Sequence, residues 1–301
     1  MNQFSIHPLY RKHDLDSVMT SLFSFYKNHF LALFLAVFVG NLATQFLTTS
    51  IDFTKLLGMT DPFEIMAEFK TWLWPILGIL VISLLLTLTL QYFVIYKPVK
   101  DEVNIFNSIY KSLKYLLPYI VIGIIFIFFA TFAVIAGLIV FIIGVLFSML
   151  YLFMVSLFIL PTLMAEGNNI GNALGRIFTL SHRHFGSNLG WTAIIFLIII
   201  VGSLILSSLV MIPFSVNFFK ILTNPAEASE ALSFMSNPLF LILSALTGSI
   251  LQPLTPILGA ILYFNAKARE DDTQTLSEGI AEPDKIKVED LYPGNSEKKE
   301  N

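Results

Sequence analysis

The chain carries one Ser-His-Arg-His cluster, Ser181 to His184, in a polar stretch between two long apolar runs. Histidine can act as a general base or as a metal ligand. A metal site needs further ligands that converge on one point, and residues two apart on a helix point about 200° from each other. We therefore interpret His182, Arg183 and His184 as a basic interfacial patch that meets anionic lipid headgroups.

No other pattern typical of enzymes is present in the sequence. It contains no Gly-x-Ser-x-Gly, His-Glu-x-x-His, P-loop or dinucleotide-binding motif. No Asp or Glu lies inside the apolar runs, although such carboxylates carry the chemistry of many intramembrane sites. We therefore expect that the protein is not an enzyme, and no cofactor or metal site is predicted.

The composition is that of an integral membrane protein. Hydrophobic residues make up 55% of the 301 residues and charged residues only 13%, whereas about a quarter of a soluble domain is charged. The net charge of −3 gives no reason to expect a nucleic-acid partner. The absence of cysteine excludes disulfides and Cys-ligated metals.

Charge-free runs predict an all-α protein with six transmembrane helices, since a membrane helix needs about 20 mostly apolar residues. The run from Tyr115 to Pro161 would make a helix more than twice as long as the hydrocarbon core is thick, at about 1.5 Å per residue. It must therefore be a hairpin, and we expect its turn near Ala136 and Gly137. The other predicted spans are 28–51, 71–96, 189–213 and 238–264.

The distribution of Lys and Arg predicts the orientation, because these residues accumulate on the cytoplasmic side of a membrane protein. Eleven of them flank one side of the predicted bundle and three the other. The eleven are Arg11, Lys12, Lys27, Lys97, Lys100, Lys111, Lys114, Arg176, Arg183, Lys267 and Arg269; the three are Lys55, Lys70 and Lys220. We expect a bacterial inner-membrane protein with both termini in the cytoplasm.

Three regions follow from these patterns: a cytoplasmic N-terminus with an amphipathic helix (1–28), a six-helix membrane domain (29–265) and a cytoplasmic tail (266–301). Amphipathic segments precede the first, third and fifth spans, and their spacing predicts three helices that lie in the membrane interface. The tail is polar and rich in both charges, so we expect it to be disordered.

Neutral polar residues inside the spans suggest a solute path. Asn41 and Gln45 lie on one face of the first helix, and Ser203, Ser207 and Ser208 form a stripe along the fifth. The sixth span carries Gln252, Pro253 and Pro256, and prolines free backbone carbonyls and kink a helix. A broken helix that lines a substrate path is one interpretation. Small polar residues that hold the bundle together are the other.

The segment around the polar stretch resembles a pattern in poorly characterised bacterial six-helix membrane proteins, including the membrane domain attached to some glycerophosphodiester phosphodiesterases. In that pattern a helix ends in Pro, an acidic residue follows, and Ala-x-x-Arg stands on an interfacial helix. Pro161, Glu166, Ala173 and Arg176 hold these places, but Ile177 replaces the usual Ser. The resemblance implies a membrane module, without the residues of an enzyme.

Two functions are compatible with these observations. The first is a non-enzymatic scaffold or accessory subunit of a membrane complex, which would bind protein partners through its bundle or its tail, with membrane lipids around it. In it, Glu166 and Arg176 would fix the third interfacial helix against the bundle. The alternative is a carrier for a neutral or lipid-like solute along Asn41, Gln45, Gln252 and the two prolines.

Overall fold

The computed structural model describes residues 3–52, 60–167, 169–216, 219 and 232–279, and these residues contain helices and no strand. The α-helices are α1 (Leu15–Thr48), α2 (Pro62–Tyr96), α3 (Ile105–Ser112), α4 (Leu116–Ile139), α5 (Phe141–Glu166), α6 (Ile170–Arg183), α7 (Phe185–Met211), α8 (Pro238–Leu251) and α9 (Leu254–Gly279). Short 3₁₀ turns cover Leu113–Tyr115, Ile212–Phe214 and Leu232–Ser236.

Six helical segments of this structure are long and apolar enough to cross a membrane, which confirms the predicted class. They are Leu15–Thr48, Pro62–Tyr96, Ile105–Ile139, Phe141–Glu166, Phe185–Phe214 and Pro238–Asp272. The second segment begins well before the predicted 71, because Asp61 caps it and Pro62 occupies its first turn. The Asp61 side chain accepts a hydrogen bond from the backbone N–H of Phe63 at 2.9 Å.

The three segments predicted as amphipathic helices fold in different ways. The first is not a separate helix: its residues continue without a break into the first span, and α1 starts at a capping box between Asp14 and Ser17. The second is the short α3, which passes through a 3₁₀ turn into α4. The third is α6, a separate helix capped by the side chain of Asn169.

The hairpin between the third and fourth spans turns at Val140, slightly later than predicted. Phe141 takes a φ of 58°, which is uncommon for a residue other than glycine. The two helices touch beside the turn, because a Cβ on Gly144 would overlap the carbonyl oxygen of Gly137. Both glycines are therefore needed for the close approach, and this moves the turn beyond Gly137.

The N-terminal segment and α9 meet at one end of the bundle. Lys12 pairs with Asp272, and the hydroxyl of Tyr10 donates a hydrogen bond to Asp271. We call this the basic end, because the eleven Lys and Arg residues of the predicted cytoplasmic side lie beside it. We call the other end of the bundle the opposite end. Lys55 and Lys220, which the charge pattern assigns to the opposite end, lie outside the described residues.

The densest part of the core lies in the half of the bundle next to the basic end. It is built from the C-terminal halves of α2 and α5 and the first half of α9, with Val94, Phe158 and Phe264 all fully buried. At the opposite end the apolar side chains point outward, as Phe141 does with 82% of its surface exposed. Side chains facing outward from a membrane bundle meet lipid tails.

An N-terminal plug, residues 4–13, closes the basic end, and the sequence did not reveal it. Phe4, His7, Leu9 and His13 are buried. The ring of Phe4 lies 5.7 Å from that of Phe264. The Nε2–H of His7 donates to the carbonyl of Val94 at 3.1 Å. The plug is thus packed directly on α2 and α9.

The last helix does not end where the sequence predicts a disordered tail. It continues past residue 266 to Gly279. The reason is that its acidic residues find partners at the basic end: Glu270 bonds Arg176, Asp271 bonds Tyr10 and Asp272 bonds Lys12. Residues 280–301, the rest of the predicted tail, lie outside the described residues.

Candidate functional site: a polar groove beside a broken helix

The sixth span is broken in its middle, where α8 ends at Leu251 and α9 begins at Leu254. Pro253 interrupts the backbone hydrogen bonds because it has no N–H. Two side chains from other helices bind carbonyls around the break. The hydroxyl of Tyr26 donates to the carbonyl of Ile250 at 2.7 Å, and the amide of Gln91 donates to the carbonyl of Pro256 at 3.2 Å. The break is therefore stabilised by α1 and α2.

A cavity of about 450 Å³ lies beside this break, between α7 and α8, and we call it the α7–α8 groove. Its lining consists of Ile199, Ser203, Leu206, Ser207, Val210, Met211, Phe240, Ser244, Thr247, Gly248, Leu251, Gln252 and Thr255. None of these side chains carries a charge. The groove is half-open, and Ser203 and Ser207 are exposed at its edge.

The hydroxyl of Thr247 in the groove donates to the carbonyl of Ser244 at 2.9 Å, but several other polar side chains of the lining make no such bond. Ser208, which does not line the groove, donates to the carbonyl of Leu204 at 2.7 Å. Ser203, Ser207, Ser244 and Gln252 make no side-chain hydrogen bond within the described part of the chain. A polar group without a partner costs several kcal/mol in a hydrocarbon environment. These groups are therefore free to bind water or a ligand.

Only part of the predicted solute path lies at this groove. Gln252 lines it. Asn41 flanks it from α1, because a Cβ on Gly248 would lie 2.8 Å from the Asn41 amide nitrogen. Gln45 is not part of the lining. Pro253 and Pro256 are buried in the packing of the sixth span and do not line the groove either.

Three polar lining residues of the sixth span were not predicted: Ser244, Thr247 and Thr255. A pattern that could have found the first two is their spacing of three residues, which places them on one helix face. Thr255 follows eight residues later, beyond the break. Ser203 and Ser207, four residues apart, form the matching face of α7. The pairing of these two faces depends on tertiary packing that the local sequence does not contain.

A second polar cluster joins α5, α6 and α9 at the basic end, and Arg176 is its centre. Arg176 bonds Glu166 at 2.7 and 3.2 Å and Glu270 at 3.2 and 2.7 Å. Glu270 also bonds Lys267 at 2.8 Å and pairs with Arg183 at 3.1 Å. Hydrogen bonds from Glu270 and Glu166 raise the pKa of Arg176 further above its ordinary value.

In this cluster the charges of Glu166, Arg176 and Arg183 pair with one another or with Glu270. The fork-like pairing of Arg176 with two carboxylates fixes both α6 and the end of α9 against α5. The hydroxyl of Tyr263 adds a hydrogen bond to Glu166 at 3.1 Å. The predicted role of Glu166 and Arg176 in holding the third amphipathic helix is compatible with these contacts.

The two histidines of the Ser-His-Arg-His cluster point to different neighbours. The Nε2 atom of His182 lies 3.1 Å from the hydroxyl of Tyr151, and its Nδ1 atom lies 2.8 Å from the carbonyl of Phe178. His184 caps the end of α6, and burial and the nearby Arg269 and Arg183 lower its pKa. Among the described residues no group of three or more His, Asp or Glu could hold a metal ion.

No protein-family model, curated protein or solved structure matches this chain. The resemblance to the membrane domain of glycerophosphodiester phosphodiesterases therefore stays a prediction, carried by Pro161, Glu166, Ala173 and Arg176 alone.

Proposed function

We propose that the protein is a membrane carrier that binds a neutral, lipid-like solute in the α7–α8 groove. The observation that carries this proposal is a set of polar side chains that have no hydrogen-bond partner among the described residues, Ser203, Ser207, Ser244 and Gln252, beside a broken helix. Discontinuous membrane helices form the substrate sites of many secondary transporters. A groove at membrane depth that exposes such groups favours a ligand able to satisfy them.

The lining also indicates the chemical class of the solute. No charged side chain faces the groove, so a charged solute would lose its hydration without gaining an ionic partner. Apolar residues such as Leu206, Met211 and Phe240 alternate with the hydroxyls. A volume of about 450 Å³ lies within the range of small-molecule sites. A solute with hydroxyl or amide groups on an apolar body fits this surface.

The test is gentle extraction of the full-length protein in native lipid, followed by mass spectrometry of the small molecules that copurify. Ser207→Leu fills the groove with an apolar side chain and removes a hydroxyl, so the bound solute should be lost. Ser208→Leu is the matched control, because Ser208 bonds its own helix and lies outside the lining. Equal retention of the same solute by both variants would contradict the proposal.

A second function, the scaffold or accessory subunit, is favoured by a different observation. The helix α9 is fixed to the basic end through Glu270 and Asp272 and continues to Gly279. In a scaffold, the polar segment 280–301 that follows in the sequence would serve as the docking segment for a protein partner. Deletion of 280–301 should abolish capture of a stoichiometric partner; a partner that is retained by the shortened chain would exclude the tail as the docking segment.

We further propose a bacterial inner-membrane location with both termini in the cytoplasm and with α3 and α6 in the membrane interface. The excess of Lys and Arg at the basic end supports this orientation. Reporter fusions after Lys70 should report outside, and fusions after Lys114 should report inside. The reverse pattern would overturn the orientation without affecting the helix count.

A further inference from the structure

Two clefts follow each other along one face of α1, and neither shares a lining residue with the α7–α8 groove. The first, of about 300 Å³, opens at the basic end and contains Arg11, Thr20, Ser21, Ser24, Asn28 and His29. The second, of about 710 Å³, lies between α1, α2 and α3 and is almost wholly apolar. Its walls include Ala32, Ala36, Val39, Leu85, Ile105 and Phe106. The two clefts thus differ sharply in chemistry.

The polar cleft carries a positive charge that no carboxylate neutralises. Within the described residues Arg11 forms no ion pair, and its guanidinium donates only to the hydroxyl of Ser21, at 2.7 Å. No Asp or Glu lines the cleft, and the side chains of Thr20, Ser24 and Asn28 make no hydrogen bond among the described residues. An unpaired guanidinium with hydroxyl and amide donors is the arrangement that binds phosphate groups.

The two clefts lie on the same face of the helix. Residues 21, 24, 28, 32, 35 and 39 follow the three-and-four spacing of a single helix face. His29 of the polar cleft also contacts the ring of Phe93 on α2, with 5.6 Å between the ring centres. From Asn28 to Val39 the helix rises about 16 Å, which is about half the thickness of the hydrocarbon core.

We propose that this face of α1, the α1–α2 crevice, binds one anionic phospholipid. Its phosphate lies in the polar cleft at Arg11, Ser24 and Asn28, and one acyl chain lies in the apolar cleft along Ala32, Ala36 and Val39. The apolar cleft beside the phosphate-binding residues selects a lipid over a free phosphate ion. Since Arg11 belongs to the N-terminal plug, the bound lipid also ties the plug to α1.

This site is independent of the solute proposed for the α7–α8 groove. The crevice lies between α1, α2 and α3, whereas the groove lies between α7 and α8. The crevice has a cationic lining at the basic end, and the groove has a neutral lining in the middle of the bundle. Failure of one proposal therefore leaves the other unaffected, and each can be tested by its own substitutions.

The test is native mass spectrometry of the full-length protein, delipidated and titrated with phosphatidylglycerol or with phosphatidylcholine of the same chain length. Arg11→Gln should lower the affinity for phosphatidylglycerol about tenfold or more, the loss expected for one charge-assisted contact. Lys27→Gln is the matched control, because Lys27 lies on α1 but outside both clefts. Equal losses from both variants would reduce the effect to general surface charge and overturn the proposal.

Two further variants separate the halves of the site. Ala36→Phe fills the apolar cleft and should weaken binding of phosphatidylglycerol while leaving inorganic phosphate unaffected. If inorganic phosphate binds as tightly as the phospholipid and Ala36→Phe changes neither, the site holds a free anion and the proposal is wrong. The double variant Ser24→Ala with Asn28→Ala removes exposed donors without touching the core, so it tests the phosphate contact even if Arg11→Gln disturbs the plug.

Discussion

The N-terminal plug should loosen as the pH falls, because it buries a neutral histidine. His7 is 2% exposed, and burial lowers its pKa from 6.5 to about 4. The backbone N–H of Leu9 donates to Nδ1 at 3.1 Å, while Nε2–H donates to Val94, so both ring nitrogens are engaged in the neutral form. Protonation of Nδ1 would break the bond to Leu9 and place a charge in the core.

The size of this effect follows from the two pKa values. Above pH 6.5 the ring is neutral in both the packed and the released plug, so the packed state keeps its full stability. As the pH falls through 6.5 towards 4, the released histidine takes up a proton and the packed one does not. Between pH 7.5 and pH 5 this difference is worth about 2 kcal/mol, or about 30-fold in the population of released plug.

Hydrogen–deuterium exchange of the peptide that contains residues 4–13 measures this population directly, once the exchange rates are corrected for the pH dependence of an unprotected amide. We expect protection to fall about 30-fold between pH 7.5 and pH 5. Burial also lowers the pKa of His13 in the same segment, so it adds an effect of the same sign.

His7→Gln is the control, since its amide can donate to the carbonyl of Val94 but does not titrate. It should remove most of the pH dependence and leave only the contribution of His13. Wild-type protection that is unchanged down to pH 5 would refute the assignment of a buried neutral histidine. So would an unaltered pH dependence in His7→Gln.

Two predictions concern stability, and thermal unfolding in mild detergent checks both. Arg176→Ala should lower the unfolding free energy by about 1–2 kcal/mol, and Arg176→Lys should recover only part of it, because lysine keeps the charge without the fork. A wild-type stability of Arg176→Lys would contradict this, because it would show that the charge alone suffices without the fork. Gly259→Ala should lower the unfolding free energy by about 2 kcal/mol or more, because its Cβ would lie 2.8 Å from the carbonyl oxygen of Leu157. Gly123→Ala is the control and should not destabilise the protein, because a Cβ there meets nothing within 4 Å.

The six spans could be predicted because a membrane imposes length and apolarity on each helix separately. The turn at Val140 was harder to place, because an apolar hairpin shows no polar residues where it reverses. Its position depends on the contact between Gly137 and Gly144, which only the packed pair of helices reveals. The apolar pattern of the sequence therefore predicts the helices, whereas tertiary packing determines where they end.

The plug and the extended α9 could not be predicted for a related reason. Phe4, His7, Leu9 and His13 lie in a short segment without a helical or strand period, so nothing in the sequence marks them as core. Glu270 stands in a charged stretch typical of a solvated tail, and its partner Arg176 is far away in the sequence. Long-range pairing of this kind overrides local composition.

The candidate site was found only in part. Gln252 was predicted because a polar residue beside two prolines stands out in an apolar span. Ser203 and Ser207 were visible as a stripe, but their partner face on the sixth span was not, because Ser244 of α8 and Thr255 of α9 become neighbours of α7 only in the folded bundle. The prolines proved to be buried structural residues that create the break without lining the groove.

The central claim is that the α7–α8 groove holds a small neutral solute, and photo-crosslinking in living cells tests it most directly. A benzophenone amino acid is placed at Ser207, inside the groove, and at Ser208 as the outward-facing control. We expect an adduct of lipid-like mass at Ser207 and a different set of adducts at Ser208. A protein-sized adduct at Ser207, or the same bulk phospholipids at both positions, would contradict it.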